Sequence, residues 1–256
     1  MLLTIDAGNS EIKLGCFDRV GALTATWRVT TDVRRTPDEY ATLFRQLFAH
    51  AGIDTHAVAA AAIASVVPKL DPAFDEVCRN AFGVEPAFLH PESQTVIPVR
   101  TEYPSQSGAD LVAAAIGGRA RFGAPLIVVC YGTASVFVAV TADGAYDGVA
   151  IAPGIAISID ALVARTAKLP QVALDSPRSA IGRTTEEALR SGIVYGFAGQ
   201  TDAIVSRMRE ELGGNASVVA TGGLAELFAR HTSTVQEVDP HLSLRGLQLF
   251  HASLED

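Results

Sequence analysis

Apolar positions come in short blocks along the first third of the chain, and each block stops at a polar or glycine-containing turn. Residues 2–6, 12–17 and 22–30 carry the continuous or alternating pattern of strands. The turn Asp18-Arg19-Val20-Gly21 joins the last two, so the chain opens antiparallel. The period then changes. Tyr40, Leu43, Phe44, Leu47 and Phe48 recur at i, i+3, i+4 spacing and predict an amphipathic helix. Thr36-Pro37-Asp38-Glu39 marks its start: Thr36 caps, Pro37 takes the first position and Glu39 closes a capping box. The helix ends near Gly52. A buried strand at 58–67, a helix to about residue 82 with Leu70, Phe74, Val77 and Cys78 as its stripe, and a short strand at 86–89 follow.

Residues 90–108 are polar, proline-rich and without period. A loop of this length in a compact domain is more often functional than idle. It ends at Tyr103-Pro104-Ser105-Gln106-Ser107-Gly108-Ala109-Asp110, before a helix of small residues over 111–121 that closes at Phe122-Gly123. The opening pattern then returns. Leu126-Ile127-Val128-Val129-Cys130-Tyr131-Gly132-Thr133-Ala134-Ser135 is a buried strand and a small-residue turn. Strands at 136–140 and up to 152 follow, then helices over 155–166 and 184–213, and a strand at 217–220 leading into Thr221-Gly222-Gly223. A further helix, a strand at 234–238 and a last helix from 241 complete the chain. The offset that lays Gly132 on Gly8 also lays Cys130 on Asp6. Two runs of the same element order imply an internal duplication, with one glycine-containing hairpin in each copy. The predicted domains are 1–122 and 123–256, with a ligand cleft between two facing sheets.

Composition narrows the classes. At 256 residues, 48% apolar and 19% charged, the chain can bury a sizeable core and has no disorder signature. A net charge of −8 disfavours bulk nucleic-acid binding while permitting a local anion pocket. Cys16, Cys78 and Cys130 are odd in number and form no C-x-x-C pair, which argues against zinc or a disulfide framework and for a reducing, cytoplasmic setting. The longest apolar runs are too short to span a bilayer.

The candidate chemistry begins at Asp6-Ala7-Gly8-Asn9-Ser10. A carboxylate at a strand end, followed by a turn whose amides face outward, suits a metal-bound nucleotide phosphate, though an ordinary polar hairpin has the same pattern. Lys13, on the second strand, either adds positive charge there or is a solvated strand lysine. Asp110 directly precedes an apolar helical run, where a carboxylate can also cap.

Taken together, the motifs resemble the type III pantothenate kinases nearly end to end. They are Asp6-Ala7-Gly8-Asn9-Ser10, Ser65-Val66-Val67-Pro68, Gly108-Ala109-Asp110, Gly132-Thr133-Ala134, Ile151-Ala152-Pro153-Gly154-Ile155, Thr166-Ala167-Lys168-Leu169-Pro170, Ile181-Gly182-Arg183-Thr184-Thr185, Ser191-Gly192, Thr221-Gly222-Gly223 and Val238-Asp239-Pro240-His241-Leu242. The resemblance implies an α/β fold of duplicated ribonuclease-H-like (actin-like ATPase) domains, each a mixed five-stranded sheet with flanking helices. It implies a cytoplasmic, homodimeric phosphotransferase that uses ATP with Mg2+ to phosphorylate pantothenate to 4′-phosphopantothenate in the first step of coenzyme A synthesis. It assigns the ATP phosphates to Asp6, Ala7, Gly8, Asn9 and Ser10, with Asp6 orienting Mg2+. Thr133 and the neighbouring Gly132 would contact ATP, and Lys13, Gly222 and Gly223 are further candidates. Asp110 would accept the proton of the substrate hydroxyl. Tyr103, Gly108, Ala109 and, across a dimer interface, Thr185 would contact pantothenate.

Two positions depart from the family pattern. Cys130 stands where the family has an aspartate that ligates a monovalent cation, K+ or NH4+, and a thiol is a poor partner for a hard cation. Leu111 stands where an arginine normally follows the catalytic aspartate, and leucine supplies neither charge nor donor. Arg100, Arg165 and Arg183 are candidates to replace it. Val136 and Val138 are lesser departures. Two other readings therefore stay open: a catalytically degenerate nucleotide-binding homologue, and a related small-molecule kinase with another substrate.

Overall fold

The structure is a computed structural model that describes residues 1–166, 169–170 and 172–255. The chain divides into two compact units, Met1–Gly117 with Leu242–Asp256, and Gly118–His241.

The first unit is built on β1 (Leu2–Ala7), β2 (Glu11–Phe17), β3 (Leu23–Thr30), α1 (Pro37–His50), β4 (Ala60–Ser65), α2 (Asp71–Val77), β5 (Pro86–Phe88) and the start of α3 (Ala109–Phe122), within which the unit boundary falls. Its sheet runs β3-β2-β1-β4-β5. The β1–β2 and β2–β3 pairs are antiparallel, and β1–β4 and β4–β5 are parallel. Central β1 is covered on both faces. Leu3, Ile5 and Ala7 point to a core made with Tyr40, Phe44, Phe48, Phe74 and Phe82 from α1, α2 and the π turn Cys78–Phe82. The period of two sends Thr4 and Asp6 to the opposite face. Each fully buried Phe in this core contributes about 1.5–3 kcal/mol of burial. Helix α1 starts as its sequence predicts: Thr36 Oγ1 accepts from the Glu39 amide, and the Glu39 carboxylate accepts from the Thr36 amide at 2.7 Å.

The second unit repeats the plan. It contains β6 (Leu126–Tyr131), β7 (Ala134–Val140), β8 (Tyr146–Pro153), α4 (Ile155–Ala164), α5 (Thr185–Glu211), β9 (Ser217–Thr221), α6 (Ala225–Ala229) and β10 (Glu237–Val238), with sheet order β10-β9-β6-β7-β8. Mixed five-stranded sheets of matching order are the duplication expected from the element pattern.

The last helix, α7 (Leu242–Ala252), departs from the expected boundaries. The repeat assigns it to residues 123–256, but it packs with the first unit. The physical reason is close backbone approach. A Cβ on Gly246 would overlap the Ala113 carbonyl oxygen, and one on Gly117 would overlap that of Leu242. Glycine at both crossing points lets α3 and α7 touch. Smaller differences are at element ends: β4 stops at Ser65 rather than 67, and β10 is confined to Glu237–Val238. Among the described residues, no helix is long and apolar enough to cross a membrane.

Candidate active site

In the first unit, the β1–β2 register pairs Asp6 with Lys13, so both side chains leave the same face of the sheet. Lys13 Nζ lies 3.4 Å from Asp6 Oδ2. The same oxygen accepts a 2.6 Å hydrogen bond from Ser243 Oγ on α7. Asp6 is buried and Lys13 half-buried, so the lysine is an ion-pair partner and not a freely solvated strand residue. The turn beyond them is held from outside. The Gly8 amide donates to the Glu11 carbonyl, Thr31 Oγ1 donates to the Gly8 carbonyl at 2.6 Å, and the Thr31 amide donates to the Ser10 carbonyl. Asn9 and Ser10 remain exposed at the tip.

Asp110 is the second residue of α3 and not its cap; the Gly108 carbonyl accepts from the Leu111 and Val112 amides. Its Oδ1 accepts from the Leu111 amide at 2.8 Å, so the carboxylate sits at the positive end of a helix. Burial is the larger influence on it and the Asp6 charge the next. Together they push its pKa from 3.8 up to about 6, against the lowering effect of the Leu111 amide and of Lys13. Asp6 and Asp110 are therefore within each other's field. A Cβ on Gly108 would sit 2.5 Å from Asp110 Oδ1, so glycine there leaves the carboxylate its place. Tyr103 is exposed at the head of the one-turn helix Pro104–Gln106, and Thr101 and Ser107 hydroxyls close this loop at 3.1 Å. Leu111 is half-buried; Arg100 belongs to this unit, Arg165 and Arg183 to the other.

In the second unit Cys130 occupies the register of Asp6, but its neighbours are Val136 and Thr221. The turn is one residue shorter: Gly132 donates to the Ala134 carbonyl where Gly8 donates to Glu11. Valine thus stands where Lys13 stands in the first unit, and the charged pair becomes an uncharged one. Gly132 and Thr133 are exposed. Two further glycines press on this turn. A Cβ on Gly154 would overlap the Thr133 carbonyl oxygen, and one on Gly222, whose φ is +101°, would overlap that of Tyr131. Gly223 faces open space. Thr185 is the exposed first residue of α5, and Thr184 supplies the cap, in a capping box with Glu187. Of the Thr166–Pro170 motif, Ala167 and Lys168 lie outside the described residues.

Asp6, Gly8, Asn9, Ser10, Lys13, Tyr103, Gly108, Ala109 and Asp110 thus fall in the first unit, and Cys130, Gly132, Thr133, Thr185, Gly222 and Gly223 in the second. Sequence reasoning missed Ser243, which nothing local distinguishes, and gave no role to Gly154, although Gly154 stands in the Ile151–Ile155 motif. Among the described residues no group of three or more His, Cys, Asp or Glu forms a metal cage. A single buried carboxylate fits Mg2+ delivered with a nucleotide, whose remaining ligands are phosphate oxygens and water.

A family model described as type III pantothenate kinase matches residues 2–207. A type III pantothenate kinase of Roseiflexus sp. (strain RS-1) is 46% identical over 98% of both chains, and one of Moorella thermoacetica is 43% identical over the same shares. Solved structures share the fold at lower identity. The activator of the 2-hydroxyisocaproyl-CoA dehydratase from Clostridium difficile, with bound ADPNP, has a TM-score of 0.58 at 11% identity, covering 99% of this chain and 96% of that one. The ethanolamine utilization protein EutJ from Carboxydothermus hydrogenoformans has a TM-score of 0.55 at 14% identity, covering 97% and 89%.

Proposed function

The chain belongs to the type III pantothenate kinase family, and from that premise we propose how its residues phosphorylate pantothenate with ATP to 4′-phosphopantothenate, in coenzyme A synthesis. The observation that carries the residue assignment is the pair of carboxylates from β1 and the start of α3, close enough for Asp6 to raise the pKa of Asp110. Phosphoryl transfer asks a protein for positioning and charge neutralisation more than for covalent chemistry. Asp110 is the base: it takes the proton of the primary hydroxyl as that oxygen bonds to the γ-phosphorus and ADP leaves. A carboxylate with a pKa near 6 is mostly ionised at neutral pH yet basic enough to accept a proton in the transition state. The Gly8–Ser10 turn and Lys13 receive the phosphates, and Gly132, Thr133, Gly222 and Gly223 of the second unit are further ATP contacts. Asp6 is the residue that would hold Mg2+, directly or through water, and the ion would supply neutralisation of the phosphate charge. Gly108, Ala109 and Tyr103 contact pantothenate, and Thr185 contacts it across the dimer interface.

The enzyme works as a homodimer in the cytoplasm on this reading. Cys16, Cys78 and Cys130, none of them in a disulfide, fit a reducing compartment. On this reading the apolar groove between α4 and α5, lined by Ile159, Leu162, Ala188, Gly192, Ile193 and Gly196, is the face offered to the second copy. Light scattering after size exclusion reads the dimer directly, and a monomeric mass at micromolar concentration removes that part. This reading includes no monovalent cation requirement, because the Cys130 thiol and the Val136 side chain are poor partners for a hard cation and Thr221 alone brings a side-chain oxygen to that register.

The test is ADP release from ATP and Mg2+ with pantothenate present or absent, in K+, NH4+ and Na+. Pantothenate-dependent turnover is expected. Cys130 and Leu111 favour the alternative of a degenerate nucleotide-binding homologue, which predicts ATP binding with no transfer. Turnover with another small alcohol but not with pantothenate marks a kinase of changed substrate.

A further inference from the structure

We propose that Ser243 is a positioning residue for the phosphate-site carboxylate, setting the orientation of Asp6 from the far end of the chain. The two residues are 237 positions apart, yet Ser243 Oγ lies 2.6 Å from Asp6 Oδ2 in a buried contact. Both are nearly inaccessible, at 5% and 4% exposure. Ser243 lies between Leu242 and Leu244, both buried, on the face of α7 that covers β1. A buried hydroxyl without an acceptor is destabilising. Asp6 gives it an acceptor, and it gives Asp6 a short, directional donor. Lys13 approaches the same oxygen at the longer distance of 3.4 Å from a half-exposed strand position. Both donors converge on Oδ2, which leaves Oδ1 as the oxygen for a metal or its water.

The support behind Ser243 is rigid. Helix α7 touches α3 backbone to backbone at Gly246 against Ala113 and at Leu242 against Gly117. Asp110 stands at the start of α3, so the same crossing ties the helix that carries Asp110 to the helix that carries Ser243. Hydrogen-bond partners that orient a metal-site carboxylate typically change metal affinity or activity about 10–100-fold when removed.

The inference rests on the kinase reading for its activity measurements and is independent of it for its binding measurements. The variants are Ser243→Ala, Ser243→Thr and, as a control for loosened packing of α7, Phe250→Leu. Two quantities are read: turnover, and the affinity of the enzyme–ADP complex for Mn2+, followed by electron paramagnetic resonance. Ser243→Ala is expected to lower kcat and weaken Mn2+ binding, each about 10–100-fold, with KM for pantothenate within about twofold. Ser243→Thr, which keeps the hydroxyl, restores both to within about threefold of wild type. Phe250→Leu lowers Tm and leaves Mn2+ affinity in place. If Ser243→Ala fails to fold, Ser243→Cys, with a weaker donor of similar volume, takes its place with the same expectations. Mn2+ affinity and kcat within twofold of wild type in the Ser243 variant overturn the proposal, as does an equal loss in Phe250→Leu. Absence of pantothenate turnover in the wild type sinks the kinase reading, and the Mn2+ measurements still decide the role of Ser243.

Discussion

A carboxylate suited to accept a proton near neutral pH has to be held where its charge is unwelcome, and Asp110 is held that way. Its pKa is raised from 3.8 to about 6, so folding favours its protonated form. The stability this gives is fully present below 3.8 and is lost as pH rises through about 6. Asp110→Asn should therefore match wild-type stability at low pH and exceed it by about 1–3 kcal/mol at pH 8, several degrees in Tm by calorimetry. The same variant should lose about 10²–10⁴-fold in kcat. A variant that is both less stable at pH 8 and still active would remove Asp110 from the base role. In wild type, kcat/KM should fall as pH drops through about 6, with the acid limb absent from the residual activity of the Asn variant. Gly108→Ala acts on the same carboxylate through space, because its Cβ would stand 2.5 Å from Oδ1. A drop in kcat of about tenfold or more is expected, with far-ultraviolet circular dichroism unchanged.

At the scale of elements, the strands and the capped helix α1 were legible because burial period and capping chemistry are local. What was not legible is where α7 docks. Its stripe of Leu242, Leu244, Leu247 and Phe250 says only that one face is buried, and the repeat points to the wrong unit. The partner is chosen by glycines that carry no pattern of their own: Gly117 and Gly246 matter because each lies against a carbonyl more than a hundred positions away in sequence. Gly246→Ala should force α7 off α3 and cost about 1–3 kcal/mol or more, read as a fall in Tm. Because Ser243 rides on that helix, activity should fall as well. Unchanged Tm would show that α7 yields easily and is no brace. Gly154→Ala tests the second unit alike. It would push on the Thr133 carbonyl, so ATP affinity should weaken.

At the scale of the whole molecule, two units of the same sheet order carry different chemistry. The first keeps Asp6 with Lys13 across the hairpin; the second has Cys130 with Val136 in the same register. The sequence comparison of the two halves exposed the first substitution, because an offset lays Cys130 on Asp6. It hid the second, because the turn is one residue shorter and the offset slips after Gly132. The candidate site was thus legible wherever a residue sits beside its own turn, as with Asp6, Gly8 and Asp110. It was not legible where partners arrive from distant sequence, as with Ser243. The paired loss of both charges is coherent physics, since a lysine facing a neutral thiol would be left half-buried and unpaired. It also bears on cations. An alkali ion needs hard oxygen ligands, and neither a thiol nor an isopropyl group provides one. Replacing K+ by Na+ should therefore change the wild-type rate less than about threefold. Cys130→Asp restores a carboxylate opposite Val136 and beside Thr221, and with no lysine to neutralise it the new charge needs a cation. That variant should become K+- or NH4+-dependent, by about tenfold or more in kcat/KM, and lose Tm in Na+ buffer relative to K+. Strong K+ dependence in the wild type would show that other oxygens complete the site without the carboxylate.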